Sequence, residues 1–122
     1  MDFNDFSALN RRRCEAKNGF NNPISRWTLS DWMTATMGEL GEAANVAKKL
    51  NRVRDGIKGN DETLEELSAM LADEIADTFI YLDLLSQSQG INIQDAVLAK
   101  FKKTSAKIGY EDAMIRLGLD WI

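Results

Sequence analysis

Two long helix-periodic runs constrain this chain most. Each opens on a threonine capping box, and each carries a pair of carboxylates inside its apolar stripe. The first box is Thr28-Leu-Ser-Asp31, and its run contains Glu39-x-x-Glu42. The second is Thr63-Leu-Glu-Glu66, and its run contains Glu74-x-x-Asp77. In such a box the threonine oxygen accepts from the third backbone N–H of the helix, and the acid at that position reaches back to the cap. The pattern predicts one helix over about 29–54 and another running on to about Gln89, with Gly90 as its stop.

Shorter elements flank them. Phe3, Phe6 and Leu9 stand at helical spacing within 2–17, and the turn formers of 18–23 break that segment. Residues 55–60 read as a loop. Asn92 is placed to cap a helix over 93–107 that ends at Gly109, and a short helical turn is expected over 111–117. Strand alternation is absent and Pro23 is the one proline. The expectation is a single all-α domain over 1–122, an antiparallel bundle of about four to five helices with short connections.

Composition narrows the function. The net charge of −4 speaks against duplex nucleic-acid binding. No stretch approaches the roughly 20 apolar residues of a membrane span. The start MDFNDFSALNRRR lacks the apolar core of a signal peptide, so cytoplasmic residence is expected. Cys14 has no cysteine to pair with, and the chain holds no histidine.

At about 100° per residue, Glu39 and Glu42 share a stripe with Trp32, Ala43, Val46 and Leu50, while Glu74 and Asp77 share one with Leu67, Met70, Tyr81 and Leu85. Acids so placed require cations, raised pKa values or arginine partners. With no histidine available, a hard divalent ion such as Mg²⁺ is the natural guest, which points to metal-assisted chemistry on a phosphate ester or anhydride. Glu65, Glu66, Asp73 and Asp83 read as surface. Met33, Met37 and Met70 read as fillers of core or interface gaps.

Lys49 and Arg52 follow the first acid pair, and Lys100 and Lys103 form a basic stripe later in the chain. All four are candidates to hold a triphosphate. Trp27 and Trp32 offer π faces to a nucleobase, with packing the stronger reading for Trp32. Asn45 is a weaker candidate for the nucleoside end.

Over residues 26–110 the chain resembles the MazG-like all-α nucleoside-triphosphate pyrophosphohydrolases. The resemblance rests on both acid pairs, Asn45-x-x-Lys48-Lys49, Tyr81-Leu-Asp-Leu-Leu85, and Lys100-Phe101 with Ser105 and Gly109. It implies Mg²⁺ (or Mn²⁺) held by Glu39, Glu42, Glu74 and Asp77, and hydrolysis of a (deoxy)nucleoside triphosphate to monophosphate and pyrophosphate. It also implies a homodimer or homotetramer. The interval 43–73 is longer than many relatives use, with the surplus expected in the 55–63 loop. Lys102 stands where relatives often carry Asn, a substrate contact in that pattern. Alternatives are a non-enzymatic helical interaction module, or the same fold acting on a nucleoside diphosphate or a modified nucleotide. A di-iron carboxylate bundle would need Glu-x-x-His motifs, and the chain has no histidine.

Overall fold

The computed structural model describes residues 1–110, which form four helices and, among them, no strand: α1 (Phe3–Glu15), α2 (Leu29–Asp55), α3 (Leu64–Ser88) and α4 (Ile93–Lys107). The turn expected over 111–117 lies outside the described residues, as does Trp121. Both threonine boxes form: Thr28 accepts from the N–H of Asp31 and Thr63 from that of Glu66, with each acid returning to its cap. Asn92 caps α4 by accepting from the N–H of Asp95. A third box, Asp2 with Asp5, opens α1 and was not anticipated. Gly56 ends α2 in the left-handed region at φ 68°, which a residue with a Cβ adopts at a cost.

α2 and α3 make an antiparallel hairpin, and its register is set by side chains along its length. The Trp32 ring lies 6.4 Å from that of Tyr81, Glu39 meets Glu74 and Asp77, and Lys49 meets Glu62 near the connection. At the Trp32 end sits the core of Cys14, Ile24, Trp32, Leu84 and Leu85, against which Trp27 and Tyr81 pack. Trp32 is fully buried and its indole N–H donates to the Ile24 carbonyl at 3.3 Å. Burying the ring without that bond would strand a donor.

α1 packs on α3 through one apolar and one polar contact. Phe3 and Phe6 lie 5.4 and 5.9 Å from the Phe79 ring. Next to them Asp83 is fully buried, which corrects the surface reading from its position on α3. It accepts from the Ser7 hydroxyl at 2.5 Å, from the Asn10 amide at 2.9 Å and from the Gln87 amide at 3.0 Å. Asn10 and Gln87 also donate to the carbonyls of Ile80 and Ser7. The reading missed this because α1, distant in sequence, covers the face of α3 that carries Asp83. α4 packs on α1 and α3, and Asn92 donates to the Asn4 side chain at 2.8 Å.

Met33, Met37 and Met70 do not fill the core of this chain: all three are exposed. With Leu29 and Leu40, the first two make an outward apolar stripe at helical spacing along α2. No helix among the described residues is long and apolar enough to cross a membrane.

Candidate functional site

The hairpin brings the two acid pairs together. Carboxylate oxygens of Glu39, Glu74 and Asp77 lie within 4.8 Å of one another. Glu42, one helical turn along α2, is exposed but close enough to Glu39 and Glu74 to act on both. Burial of the Glu74 carboxyl, reinforced by Glu42 and Glu39, pushes its pKa up to about 7. Burial, then the charge of Glu42, raises Glu39 as well. One oxygen of Glu74, Oε2, is shut off from solvent and has no hydrogen-bond partner. An acceptor buried without a donor is rare and costly. Three convergent carboxylates, one with an orphaned oxygen, fit a hard divalent ion with oxygen ligands such as Mg²⁺.

Glu39 and Asp77 also line a cleft of about 550 Å³. Its lining includes the aromatic residues Phe20, Trp27, Trp32 and Tyr81, and the Trp27 and Trp32 rings lie 4.6 Å apart. Arg13 and Arg26 line it as well. The Arg13 guanidinium sits 5.3 Å over the Phe20 ring, while Arg26 donates to the Asn21 carbonyl at 2.8 Å.

One wall of the cleft is the segment between α1 and α2, which local sequence identified only as a break. It folds back on the end of α1. The N–H of Phe20 donates to the Arg13 carbonyl, and those of Gly19 and Asn21 both donate to that of Ala16. Asn22 N–H donates to the Cys14 carbonyl at 2.8 Å, and the Cys14 thiol donates in return to the Asn22 carbonyl at 3.1 Å. The Glu15 carboxylate accepts from the Ile24 N–H, which holds its pKa down. Burial pushes the Cys14 thiol up. Gly19 is required by the fold-back itself, since a Cβ there would lie 2.0 Å from the Arg13 carbonyl oxygen. Gly19→Ala is therefore expected to destabilise the protein by about 1–3 kcal/mol, because backbone must move to admit the methyl group. Denaturant melts followed by tryptophan emission measure this, and an unchanged midpoint would contradict the close approach.

The other sequence candidates fall into three places. Trp27 and Trp32 line the cleft. Lys49 and Arg52 turn to the α2–α3 connection: Lys49 pairs with Glu62 at 2.5 Å, Arg52 donates to Asn60 at 3.4 Å, and Asn60 donates back to the Lys49 carbonyl. The Lys49 ammonium holds the Glu62 carboxyl below its usual range. Asn45, Lys100 and Lys103 are exposed and are not part of the cleft lining. The residues missed are Arg13, Phe20, Asn22 and Arg26. The Arg11–Arg13 run and the Asn-rich turn are visible in the sequence, but which of their residues line the cleft depends on the fold-back. Comparison of the chain with protein-family models, curated proteins and solved structures found no match.

Proposed function

We propose that this protein hydrolyses a (deoxy)nucleoside triphosphate to the monophosphate and pyrophosphate, with Mg²⁺, by attack of water on the α-phosphorus. The observation that carries the reading is the junction of two features: convergent carboxylates with an orphaned oxygen, opening onto a cleft with aromatic walls and two arginines. The likeness of residues 26–110 to MazG-like pyrophosphohydrolases points the same way. Glu39, Glu42, Glu74 and Asp77 hold the ion, which when bound neutralises phosphate oxygens and the departing pyrophosphate. A carboxylate of the quartet with one oxygen not engaged by the ion takes the proton from the attacking water. Arg13 and Arg26 are the cations of the cleft lining that would hold phosphate oxygens, and Trp27, packed on the buried Trp32, stacks on the base. Lys49 and Arg52 brace the connection that fixes the hairpin. The apolar α2 stripe of Leu29, Met33, Met37 and Leu40 supports association with a second copy of the chain.

The test has two readouts. Each NTP and dNTP is incubated with the protein and Mg²⁺, and pyrophosphate is the expected product; release of orthophosphate contradicts attack at the α-position. Without substrate, Mg²⁺ at a hundredfold excess over its Kd is expected to add about 2.7 kcal/mol of stability, roughly 10 °C in Tm for a domain of this size. The gain shrinks toward pH 5. Glu74, with its pKa near 7, then holds a proton that the ion must displace, and the raised pKa of Glu39 works in the same direction. A Tm indifferent to Mg²⁺ at pH 8 removes the metal site.

A further inference from the structure

α1, α3 and α4 leave an apolar groove between them, and none of the four acids of the quartet lines it. Two adjoining hollows of about 640 and 250 Å³ share Asp2, Phe3, Phe79 and Gln94 in their walls. Val97 of α4 lines the smaller one, and it and Phe3 are each about half exposed, at 54% and 49%. The carboxylate of Asp2 is committed to the capping box of α1. Among the described residues no lysine or arginine lines the groove, so its walls suit apolar side chains and not a phosphate. Charge lies beside it instead. At about 100° per residue, Lys100, Lys103 and Lys107 run along one flank of the α4 line that carries Val97. All three are exposed, and none pairs with an acid among the described residues.

The chain leaves α4 through a left-handed turn. Gly109 has φ 72°, and the Tyr110 N–H donates to the Ser105 carbonyl at 2.9 Å, a closure that takes the backbone off the helix axis. Residues 111–122, outside the described ones, read EDAMIRLGLDWI. Seven of these twelve are apolar, with Met114, Leu117 and Trp121 recurring at intervals of three and four, and Glu111, Asp112 and Asp120 outnumber Arg116. From Tyr110 back to Val97 is about 20 Å along α4. Twelve residues span from about 18 Å as helix to about 40 Å extended, so the groove is within reach.

We propose that residues 111–122 dock in this groove, with their apolar side chains against Phe3, Phe79 and Val97 and their acids facing the lysines of α4. The segment matches the groove in hydrophobicity and its flank in charge. The tether favours it over a separate peptide or a second copy, because a short linker presents its end at an effective concentration of about millimolar. Docked there, it holds Phe3, and with it α1, onto α3. The C-terminal segment thus steadies the helix that brings Asn10, Arg13 and Cys14 to the cleft. The proposal does not depend on the nucleotide reading.

The test uses the full chain with a nitroxide on Gly118→Cys. Cys14, at 3% exposure, is shielded from the reagent. The amide resonances of Phe3, Phe79 and Val97 are expected to lose most of their intensity, while those of Val53 and Ile57, at the α2–α3 connection, keep theirs. Loss at neither group, or at both, overturns the placement. Val97→Asp puts a charge in the groove wall and should restore the signals of Phe3 and Phe79; broadening that survives it also overturns the placement. A mixture of nitroxide-bearing chains with isotope-labelled, nitroxide-free chains should show no loss, and a loss there assigns the groove to the segment of a second copy instead. Trp121→Ser should lower the Tm of the unlabelled protein by roughly 5 °C, and an unchanged Tm would show that the segment does not hold α1.

Discussion

Glu74→Gln is expected to lower nucleotide hydrolysis by about a thousandfold, the loss typical when a site forfeits a group stabilising transition-state charge, while raising the Tm of the metal-free protein. The two effects come from one cause. Glu74 is the most strained acid of the quartet, with a pKa pushed up to about 7 by burial and by Glu42 and Glu39, and with Oε2 unpartnered. Glutamine has the same shape without the charge, so it relieves the cluster as it removes a proposed ligand. The pH dependence follows from linkage. A group whose folded pKa exceeds its unfolded value contributes stability that is complete below the unfolded pKa, near 4.5, and is lost as pH rises through about 7. The variant's advantage is therefore full above about pH 7 and absent below about 4.5. Thermal melts in EDTA at pH 8 and pH 4.5 check it. A variant less stable than the natural protein at pH 8 would show that the acids do not repel. Undiminished hydrolysis would remove Glu74 from the site. A trade of stability for activity of this kind is common where like charges converge on a catalytic centre.

The second large effect falls on a residue outside the site. Asp83→Ala is expected to cost about 3–4 kcal/mol, because it leaves the buried donors of Ser7, Asn10 and Gln87 without their acceptor. Against a total stability of about 5–15 kcal/mol for a domain, that is a large fraction. Asp83→Asn retains one acceptor oxygen and should cost less, about 1–2 kcal/mol. Nucleotide binding should weaken alongside stability in both variants. Asn10 and Cys14 line the cleft from α1, and Asp83 is what fastens α1 to α3. Denaturant titration gives the stability change, and a loss below about 1 kcal/mol for Asp83→Ala would show that the apolar contacts of Phe3 and Phe6 hold α1 by themselves.

The contrast between Glu74 and Asp83 shows what could be read from the chain beforehand. The hairpin was readable because its determinants are local: a threonine with an acid three residues on, an apolar stripe, and a glycine at the exit. The acids converge because both pairs lie at matching distances from the connection, which two helical periods and an antiparallel turn already imply. Asp83 was not readable. Its partners on α1, Asn10 and Ser7, lie 73 and 76 residues away, and helical periodicity says only which way a side chain points, not what covers that face. The cleft wall failed for the same reason. Gly19, Phe20 and Asn22 look like any turn until the Arg13 and Cys14 carbonyls close on them. Lys49 looked free for a substrate because Glu62, thirteen residues later, reads as one more surface acid.

The polar fastening of α1 has a consequence for order of assembly. α2 and α3 are neighbours in sequence and close over a short connection, whereas α1 must find α3 across most of the chain, so the last element to dock is the one that completes the wall. Partial opening would run in reverse, freeing the N-terminal helix first. A molecule in that half-open form retains its four acids in register yet has lost the side chains that α1 contributes to the cleft, Asn10, Arg13 and Cys14. On the proposed reading it binds a cation and no nucleotide. Retention of substrate is thereby tied to the integrity of a joint that the substrate never touches.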